Sequence, residues 1–380
     1  MPQVISKLLN PFRSFEAQWD RLTQRAYANR LRSMVGRNRW CLGNVEWDEK
    51  ELLVSGWALP PVGGHSRLDF RVNSQSFEIV EYPQFRKDVG DTLWFIPGAA
   101  ESGFTCRISV RQLDSNRSDD LILQAVDLDA SSRSAPYCNH YFPGEGRTSA
   151  PLPSPIRMQR VHGSSVPTTF RYIGYSAFVQ MEQALRERFG KGYSDFPRIL
   201  DWGCGSGRIT RYFERRPRAR VVGIDIDQDN IEWCRENLPF ATFETVPLHP
   251  PTQLPAGSFD LLIGTSIFTH LQESEQFHWL DELRRLSAPG ATLLMSCHGR
   301  TSVGYGRMAL KPFREWSRQG FLDCGACELA GVRLSESDYY RSTYHSERYV
   351  RRHWSKYFEI VEYLPAFIGN LQDLVVMRRP

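Results

Sequence analysis

Apolar residues in the first 40 positions recur at steps of three and four, the spacing of one face of an α-helix. The residues at this spacing are Phe12, Phe15, Trp19, Leu22 and Ala26. Asn10 followed by Pro11 is typical of a helix N-cap with proline in the first turn. The pattern therefore predicts a leading amphipathic helix within residues 1–40. Its other faces carry arginines, so it could bind an anionic membrane surface, contact a second subunit, or dock on the next domain.

Between residues 41 and 142 the pattern changes to short runs of strand-forming residues. These runs are Leu52–Leu59, Leu68–Val72, Phe77–Val80, Phe104–Val110 and Leu121–Val126. Turn-forming clusters separate them, which predicts an accessory all-β domain, either an antiparallel β-sandwich or a small barrel. Residues 43–58 resemble accessory β-domains that accompany bacterial enzymes acting on surface glycans. Tryptophans such as Trp57 could stack on sugars or belong to the core.

Length and composition limit the domain count and the class of protein. A chain of 380 residues exceeds what one hydrophobic core usually organises, so two or three domains are expected. A Pro-, Gly- and Ser-rich segment at residues 143–157 is typical of a linker between them. With 41% hydrophobic and 12% aromatic residues, the chain can build packed cores, which excludes wholesale disorder.

Charge is concentrated at the amino terminus. Residues 1–40 hold eight Lys and Arg against two acidic residues, whereas the whole chain has a net charge of +4. A globally basic nucleic-acid-binding protein is therefore not indicated, and no nucleic acid partner is expected. The sequence shows neither a membrane-length apolar run nor a secretory signal, so we expect a cytoplasmic location.

The eight cysteines are scattered, which favours reduced thiols. Cys324 and Cys327 form a single C-x-x-C with no second pair nearby. Four ligands are usual in a structural zinc site, so the sequence predicts no metal.

The strongest motif lies at residues 198–213, where a short apolar strand ends at Asp201 and a glycine-rich loop follows. The loop is Gly203-Cys204-Gly205-Ser206-Gly207, and a helical pattern comes after it. Glycines allow a backbone to turn sharply and to approach a ligand closely, and a helix start offers free N–H groups. A second strand then delivers Asp225, whose carboxylate could accept both hydroxyl hydrogens of a ribose. The sequence predicts a site for a nucleotide-like ligand.

A nicotinamide dinucleotide is the alternative ligand, because a glycine-rich turn followed by an acidic residue also marks that cofactor. Two details argue against it. The glycines follow the pattern G-x-G-x-G, and Asp201 would repel a pyrophosphate but attract an ammonium group. A cationic amino-acid ligand fits better.

These motifs resemble those of class I S-adenosylmethionine-dependent methyltransferases over residues 160–300, with a recognisable continuation to 380. The resemblance implies a methyltransferase domain at 158–380 with a Rossmann-like seven-stranded α/β sheet and an insertion or lid at about 299–349. The resemblance also implies how S-adenosylmethionine is bound. Asp225 would bind the ribose, Ile226 would contact adenine, and Thr265 and Ser266 would line the cofactor site. The methionine moiety would be held by Asp201, Gly203, Cys204, Gly205 and Gly207.

The main evidence about the methyl acceptor is the set of motifs that the sequence lacks. Motifs for amide methylation, for cytosine carbon-5 methylation and for a catechol-type metal site are missing. We therefore expect metal-independent O-methylation, by a bacterial-type enzyme, of a saccharide, glycolipid or other small metabolite. His270 and His298 follow the fourth and fifth strands, and each could act as general base or be structural. The alternative is a non-catalytic, cofactor-binding scaffold that recruits a partner or membrane through its amino-terminal regions.

Overall fold

A computed structural model describes residues 10–36, 39–60, 67–129, 138–216, 218–306, 308–326 and 339–380, with side chains from residue 23 onward. The apolar side chains Phe12, Phe15, Trp19 and Leu22, and Cys327 of the C-x-x-C pair, lie outside the described residues.

The leading helix, α1, runs from Asn10 to Val35 in the described part of the chain, where the periodicity predicts a helix. Leu31 and Val35 are buried in a core that includes Val303, and the Arg32 side chain donates a hydrogen bond of 3.0 Å to the Phe95 carbonyl oxygen. The carboxyl-terminal end of this helix therefore docks on the folded chain. Its possible contacts with a membrane or second subunit stay a prediction.

Two four-stranded antiparallel sheets follow. Their strands are β1 (Trp40–Trp47), β2 (Glu51–Ala58), β3 (Leu68–Val72), β4 (Gln75–Ser76), β5 (Ile79–Phe85), β6 (Glu101–Ser109), β7 (Leu121–Asp127) and β8 (His140–Phe142). The strand orders are β1-β2-β6-β5 and β4-β3-β7-β8. Both sheets contribute to one core, in which the rings of Phe70 and Phe104 stack 4.4 Å apart. A short helix, α2 (Lys87–Thr92), interrupts the strands and was not expected.

A seven-stranded sheet forms the second half of the chain, so the predicted mixed α/β fold is confirmed. Its strands are β9 (Arg198–Trp202), β10 (Arg220–Asp225), β11 (Thr242–Thr245), β12 (Phe259–Gly264), β13 (Ser287–Cys297), β16 (Glu359–Ile368) and β17 (Gln372–Arg378). They are ordered β11-β10-β9-β12-β13-β17-β16, and β17 pairs antiparallel with both of its neighbours. The first five strands are parallel, so their carboxyl ends share one edge.

The helices of this half of the chain are α3 (Pro155–His162), α4 (Pro167–Phe189), α5 (Gln228–Asn237), α6 (Glu273–Leu286), α7 (Arg300–Tyr305), α8 (Leu310–Gln319) and α9 (Glu347–His353). Side chains of α4 pack on one face of the sheet, and side chains of α6 and α9 pack on the other. Between α8 and α9 lies a small hairpin of β14 (Phe321–Ala326) and β15 (Arg341–His345).

One local prediction is wrong. Only a 3₁₀ turn, Thr210–Phe213, follows the glycine-rich loop in place of the predicted α-helix. The Thr210 hydroxyl donates a 2.5 Å hydrogen bond to the Asp201 carboxylate, and the chain returns to the sheet at Arg220.

Side chains join the β-rich half to the α/β half. The Ser176 hydroxyl on α4 donates to the Tyr141 carbonyl oxygen at 2.9 Å, and the Asn370 amide donates to the Trp40 carbonyl oxygen at 3.1 Å. Tyr172 from α4 is buried in the core of the two small sheets. The two halves therefore share a packed interface, and a residue of β1 can reach a site on the large sheet. The domain boundaries themselves stay a prediction.

Among the described residues, no helix combines the length and apolarity needed to cross a membrane. The cysteines in the described segments are free thiols, and these segments contain no cluster of three or more potential metal ligands.

Candidate functional site

A cavity of about 700 Å³ opens at the carboxyl edge of the parallel strands. The ends of β9, β10 and β12 form part of its wall, with the loops that follow them. Further wall residues come from α3, α4, β1 and the turn between β16 and β17. Ligands bind at this edge in open α/β sheets, because the loops there are free to vary while the strands hold them in place.

Asp201 stands at the end of β9, where it is only 3% exposed. Burial raises the pKa of its carboxyl group to about 7, and the nearby Asp225 adds to this increase. The hydrogen bond from Thr210 and the positive charge of Arg208 oppose the shift. An anion held in so apolar a position gains from a cationic neighbour, so Asp201 is well placed to bind an ammonium group.

The glycine-rich loop is built from three residues with positive φ: Gly203 (+70°), Gly205 (+54°) and Gly207 (+69°). The amides of Gly203 and Cys204 both donate to the Ile224 carbonyl oxygen, which fastens the loop to β10. Gly203, Cys204 and Gly205 line the cavity. Gly207 is not part of the described cavity wall, because it packs against α5 and against Leu238, the residue that follows α5.

We expect Gly207→Ala to lower the free energy of unfolding by about 1–3 kcal/mol. The new Cβ would lie 2.3 Å from Cδ1 of Leu238, which is fully buried, and the φ of +69° would be strained. Gly190→Ala is the matched control, since it has a φ of +64° but no atom within 4 Å of the new Cβ. Urea unfolding of both variants measures the difference. Equal losses of unfolding free energy in the two variants would show that the contact with Leu238 does not contribute to the effect of Gly207→Ala.

Asp225 ends β10 and fixes the backbone around it. Its two carboxylate oxygens accept hydrogen bonds from the amides of Gly205 and Asp227, each at 2.8 Å. Burial raises the pKa of this carboxyl group to about 6, so it is mainly ionised at pH 7. A carboxylate has about four lone-pair sites, so Asp225 can still accept hydroxyl groups of a ligand. Ile226, the next residue, also lines the cavity.

Thr265 and Ser266 follow β12, and both line the cavity. The Thr265 hydroxyl oxygen is buried without a hydrogen-bond partner among the described residues. Ser266 has a φ of +65°, and its amide donates to the Ser296 hydroxyl at 2.8 Å. Its own hydroxyl contacts the side chain of Gln372, another wall residue, at 2.8–3.1 Å. Ser266 therefore positions the end of β17 at the cavity.

His270 lies in the cavity wall, and its ring stacks on Tyr340 with 3.9 Å between the centroids. Its Nδ1 is 2.8 Å from the Arg341 carbonyl oxygen. A carbonyl oxygen only accepts, so we assign the ring proton to Nδ1, which leaves Nε2 with a free lone pair. Burial lowers the pKa of His270 to about 4, so the ring is neutral at pH 7.

His298 lies behind His270, with 6.2 Å between the ring centroids. It is not part of the cavity wall formed by the residues that the structure describes. Burial lowers its pKa to about 4, and its ring packs beside Tyr344. The geometry thus separates the two candidate bases: His270 can meet a ligand in the cavity, whereas His298 needs another residue or water between them.

Four further wall residues were not assigned from the sequence: Cys41, His162, Arg208 and Asn230. Arg208 directly follows the third glycine of the motif, a position that could have drawn attention to it. His162 falls in the region before the first strand of the large sheet, but no pattern distinguishes it. Cys41 lies on β1, far away in sequence, and only the packing of the two halves brings it here.

Two more unpaired atoms test whether the cavity suits a polar ligand. Asn230 Oδ1 and His162 Nε2 are buried without partners among the described residues. Buried polar atoms normally have hydrogen bonds, so these acceptors indicate a ligand that brings donors. Hydroxyl, amino and ammonium groups of an adenosyl amino acid are such donors, and Asp201 and Asp225 suit its cationic and ribose parts. The residues present fit S-adenosylmethionine.

The fold and the site together define an α/β protein that binds a nucleotide-like ligand at the carboxyl edge of its sheet. Comparison with known proteins narrows this class. A family model described as "Methyltransferase domain" matches residues 199–290. The chain therefore carries a class I S-adenosylmethionine-dependent methyltransferase domain, and S-adenosylmethionine is the cofactor of that class.

Curated relatives match a limited share of the chain. Trans-aconitate 2-methyltransferase of Afipia carboxidovorans is 38% identical over 71 residues, which cover 18% of this chain and 27% of that protein. The O-antigen chain terminator bifunctional methyltransferase/kinase WbdD of Escherichia coli is 37% identical over 94 residues, 23% of this chain and 13% of that protein. The matches thus span about a quarter or less of these relatives.

Among solved structures, an S-adenosylmethionine-dependent methyltransferase from Methanosarcina mazei is similar at 22% identity and a TM-score of 0.37. The match covers 48% of this chain and 92% of that structure.

Proposed function

We propose that this protein transfers a methyl group from S-adenosylmethionine to a hydroxyl group of a small-molecule or glycan acceptor, without a metal ion. One observation carries the proposal: a single cavity contains the cofactor-type residues Asp201 and Asp225 and also His270, a neutral histidine with a free ring nitrogen. The sulfonium of the cofactor supplies an already activated methyl group. The protein must then align the acceptor and accept its proton.

His270 is suited to the proton transfer. The Arg341 carbonyl oxygen holds its Nδ1–H, and stacking on Tyr340 fixes the plane of the ring. A ring held in this way presents Nε2 in one orientation, which favours a positioned general base. Burial keeps the ring neutral at pH 7 and also makes it a weaker base, so the contribution of His270 depends on its fixed orientation toward the acceptor hydroxyl.

The rest of the wall suggests where the acceptor lies. Three acidic residues lie among the described wall residues: Asp201 and Asp225 on the two strands predicted to hold the cofactor, and Asp227 at the N-cap of α5. Tyr172, Leu371 and Cys41 supply a more apolar surface, and Cys41 comes from the β-rich half. We propose that this surface receives the acceptor and that the β-rich half contributes to its choice.

A saccharide or glycolipid is the acceptor class that we favour among small metabolites. The resemblance of residues 43–58 to glycan-associated β-domains supports it, as does the partial match to a relative named as an O-antigen chain terminator. The second candidate function is a non-catalytic scaffold that binds the cofactor and recruits a partner or membrane. The basic character of residues 1–40 favours that alternative.

The test is calorimetric titration with S-adenosylmethionine and S-adenosylhomocysteine, followed by incubation of the intact protein with labelled cofactor and candidate acceptors. The panel contains nucleotide sugars, oligosaccharides, glycolipids and non-sugar hydroxy compounds. Binding and transfer to a sugar would support the proposal. Transfer only to a non-sugar would remove the glycan class, and binding without transfer to any acceptor would favour the scaffold. A folded protein that binds neither nucleoside would overturn both candidates.

The high pKa of Asp201 predicts that S-adenosylmethionine binding at pH 7 releases about half a proton. The free protein holds this carboxyl group partly protonated, and a bound ammonium group lowers its pKa. Titrations in buffers with different ionisation enthalpies measure this release, which is the slope of the observed binding enthalpy against the ionisation enthalpy of the buffer. Asp201→Asn removes this contribution and keeps those of Asp225 and of the ligand's own amino group, so at pH 7 the wild type should release about half a proton more than the variant. Equal proton release by the two proteins would contradict this expectation.

A further inference from the structure

Arg208 occupies an unusual place in the cavity wall. It is a charged side chain with only 9% of its surface exposed, directly after the glycine-rich loop. No hydrogen bond or ion pair within 4 Å connects its guanidinium to another of the described residues. The carboxylate of Asp201 acts on it electrostatically from farther away. Burial lowers the pKa of Arg208 to about 10, but the group stays charged at pH 7.

The guanidinium nitrogens of Arg208 are not among the fully buried atoms without partners, so its small accessible surface lies at the cavity that it lines. A charged group with little contact to water and no paired carboxylate among the described residues gains from a ligand of opposite charge in that cavity. Nearby backbone supports this position: a Cβ on Gly174 of α4 would lie 2.3 Å from the Arg208 carbonyl oxygen and 2.8 Å from its Cγ. Helix α4 therefore approaches Arg208 closely and confines its side chain.

The surroundings of Arg208 are suited to an anion. His162 and Tyr340 lie within electrostatic range of it, and both line the cavity. His162 is neutral, since burial lowers its pKa to about 4. Tyr340 stacks on His270, so a group bound by Arg208 would lie near the proposed general base. The carboxylate of Asp201, another wall residue, interacts electrostatically with Arg208. The ammonium group of the proposed cofactor would neutralise that carboxylate.

We propose that Arg208 is an anion-binding residue of the cavity and that its guanidinium pairs with a carboxylate of a bound ligand. Planar guanidinium and carboxylate groups match in two parallel hydrogen bonds, which makes arginine the preferred partner for this anion. The carboxylate comes either from the methionine part of the cofactor or from an acidic acceptor. The inference rests on the proposed function, since both sources are ligands of the proposed methyl transfer.

The experiment compares wild type and Arg208→Gln in titrations with S-adenosylhomocysteine and with its decarboxylated analogue, which lacks only the carboxylate. If the cofactor is the source, Arg208→Gln weakens S-adenosylhomocysteine binding about 10- to 100-fold and leaves analogue binding unchanged. Succinate is the probe for an acidic acceptor, titrated by NMR against protein saturated with the decarboxylated analogue. If the acceptor is the source, Arg208→Gln abolishes succinate binding and leaves both nucleosides unaffected.

Arg211→Gln is the matched control. Arg211 is also buried, at 1% exposure, but its guanidinium donates to the Pro151 carbonyl oxygen at 3.0 Å, and it does not belong to the described cavity wall. The Arg211→Gln variant should leave the ratio of the two nucleoside affinities and the binding of succinate unchanged. Arg208→Lys replaces Arg208→Gln if the latter does not melt cooperatively. Arg208→Lys keeps the charge but cannot form two parallel hydrogen bonds, so we expect the affinity for the carboxylate ligand to fall about 3- to 10-fold.

Wild-type affinity of Arg208→Gln for S-adenosylhomocysteine and for succinate would overturn the proposal while the proposed function stands. If wild-type protein binds neither nucleoside, the proposed function fails. Succinate is then titrated against the free protein, where loss of binding in the variant supports the anion site and unchanged or absent binding overturns it.

Discussion

Asp225→Ala is expected to weaken the binding of S-adenosylmethionine and S-adenosylhomocysteine by about 100- to 1,000-fold. The variant removes the carboxylate predicted to accept two ribose hydroxyl groups, and hydrogen bonds to a charged acceptor contribute about 1.5–3 kcal/mol each. It also frees the amides of Gly205 and Asp227 that the carboxylate now holds at 2.8 Å. Isothermal titration calorimetry measures the loss directly.

Asp229→Ala is the control for this experiment. Asp229 lies in the first turn of the same helix, α5, but its side chain is 63% exposed and pairs with Arg160 at 3.4 Å. It should leave cofactor affinity within about threefold of wild type. Asp225→Asn keeps an oxygen for one backbone amide, so it separates ligand binding from loop support. Unchanged affinity in a folded Asp225→Ala protein would show that Asp225 does not hold the ribose.

His270→Ala is expected to lower the turnover of methyl transfer about 100-fold with little change in cofactor affinity, since a positioned general base contributes 10²–10⁴-fold. The loss should appear in kcat once an acceptor is identified. His298→Ala, measured beside it, compares the two candidate bases, and the geometry predicts the larger loss at His270. A larger loss at His298 would reverse the assignment.

His270→Asn distinguishes a base from a structural residue. Its amide can replace Nδ1–H in the hydrogen bond to the Arg341 carbonyl oxygen, but it has no basic ring nitrogen. A catalytic role predicts that Asn is as inactive as Ala, whereas a structural role predicts rescue.

The pH profile gives a second readout for His270. Because burial lowers its pKa to about 4, the neutral form predominates above about pH 5. The acid limb of kcat should therefore fall only below that pH, and a limb centred near pH 6.5 would indicate an exposed histidine instead.

Local motifs were predictable because their residues are close in sequence. Asp201, the glycines and Asp225 belong to one strand, loop and strand, so their spacing alone brings them together. The helix of residues 10–35 was predictable from periodicity in the same way. The α-helix predicted after the loop was wrong, because the structure has only the 3₁₀ turn Thr210–Phe213 there, with the Thr210 hydroxyl bonded to Asp201.

The roles of the histidines and of Gly207 were not distinguishable from the sequence. His270 and His298 each follow a strand of the sheet, yet only the first lies in the described cavity wall. Gly207 resembles its two neighbours in the motif, but it packs on Leu238 while they line the cavity. Such differences depend on where each side chain points after packing.

The sequence by itself determined the class of domain and the core of the cofactor site, because short strands and glycine turns encode both locally. The tertiary structure alone decided that Cys41 of the β-rich half joins the same cavity, and that Arg208 is buried there without a hydrogen-bonded partner in the part of the chain that the structure describes. Burial and distant contacts depend on how separate elements pack, and the charge and reactivity of a side chain depend on burial.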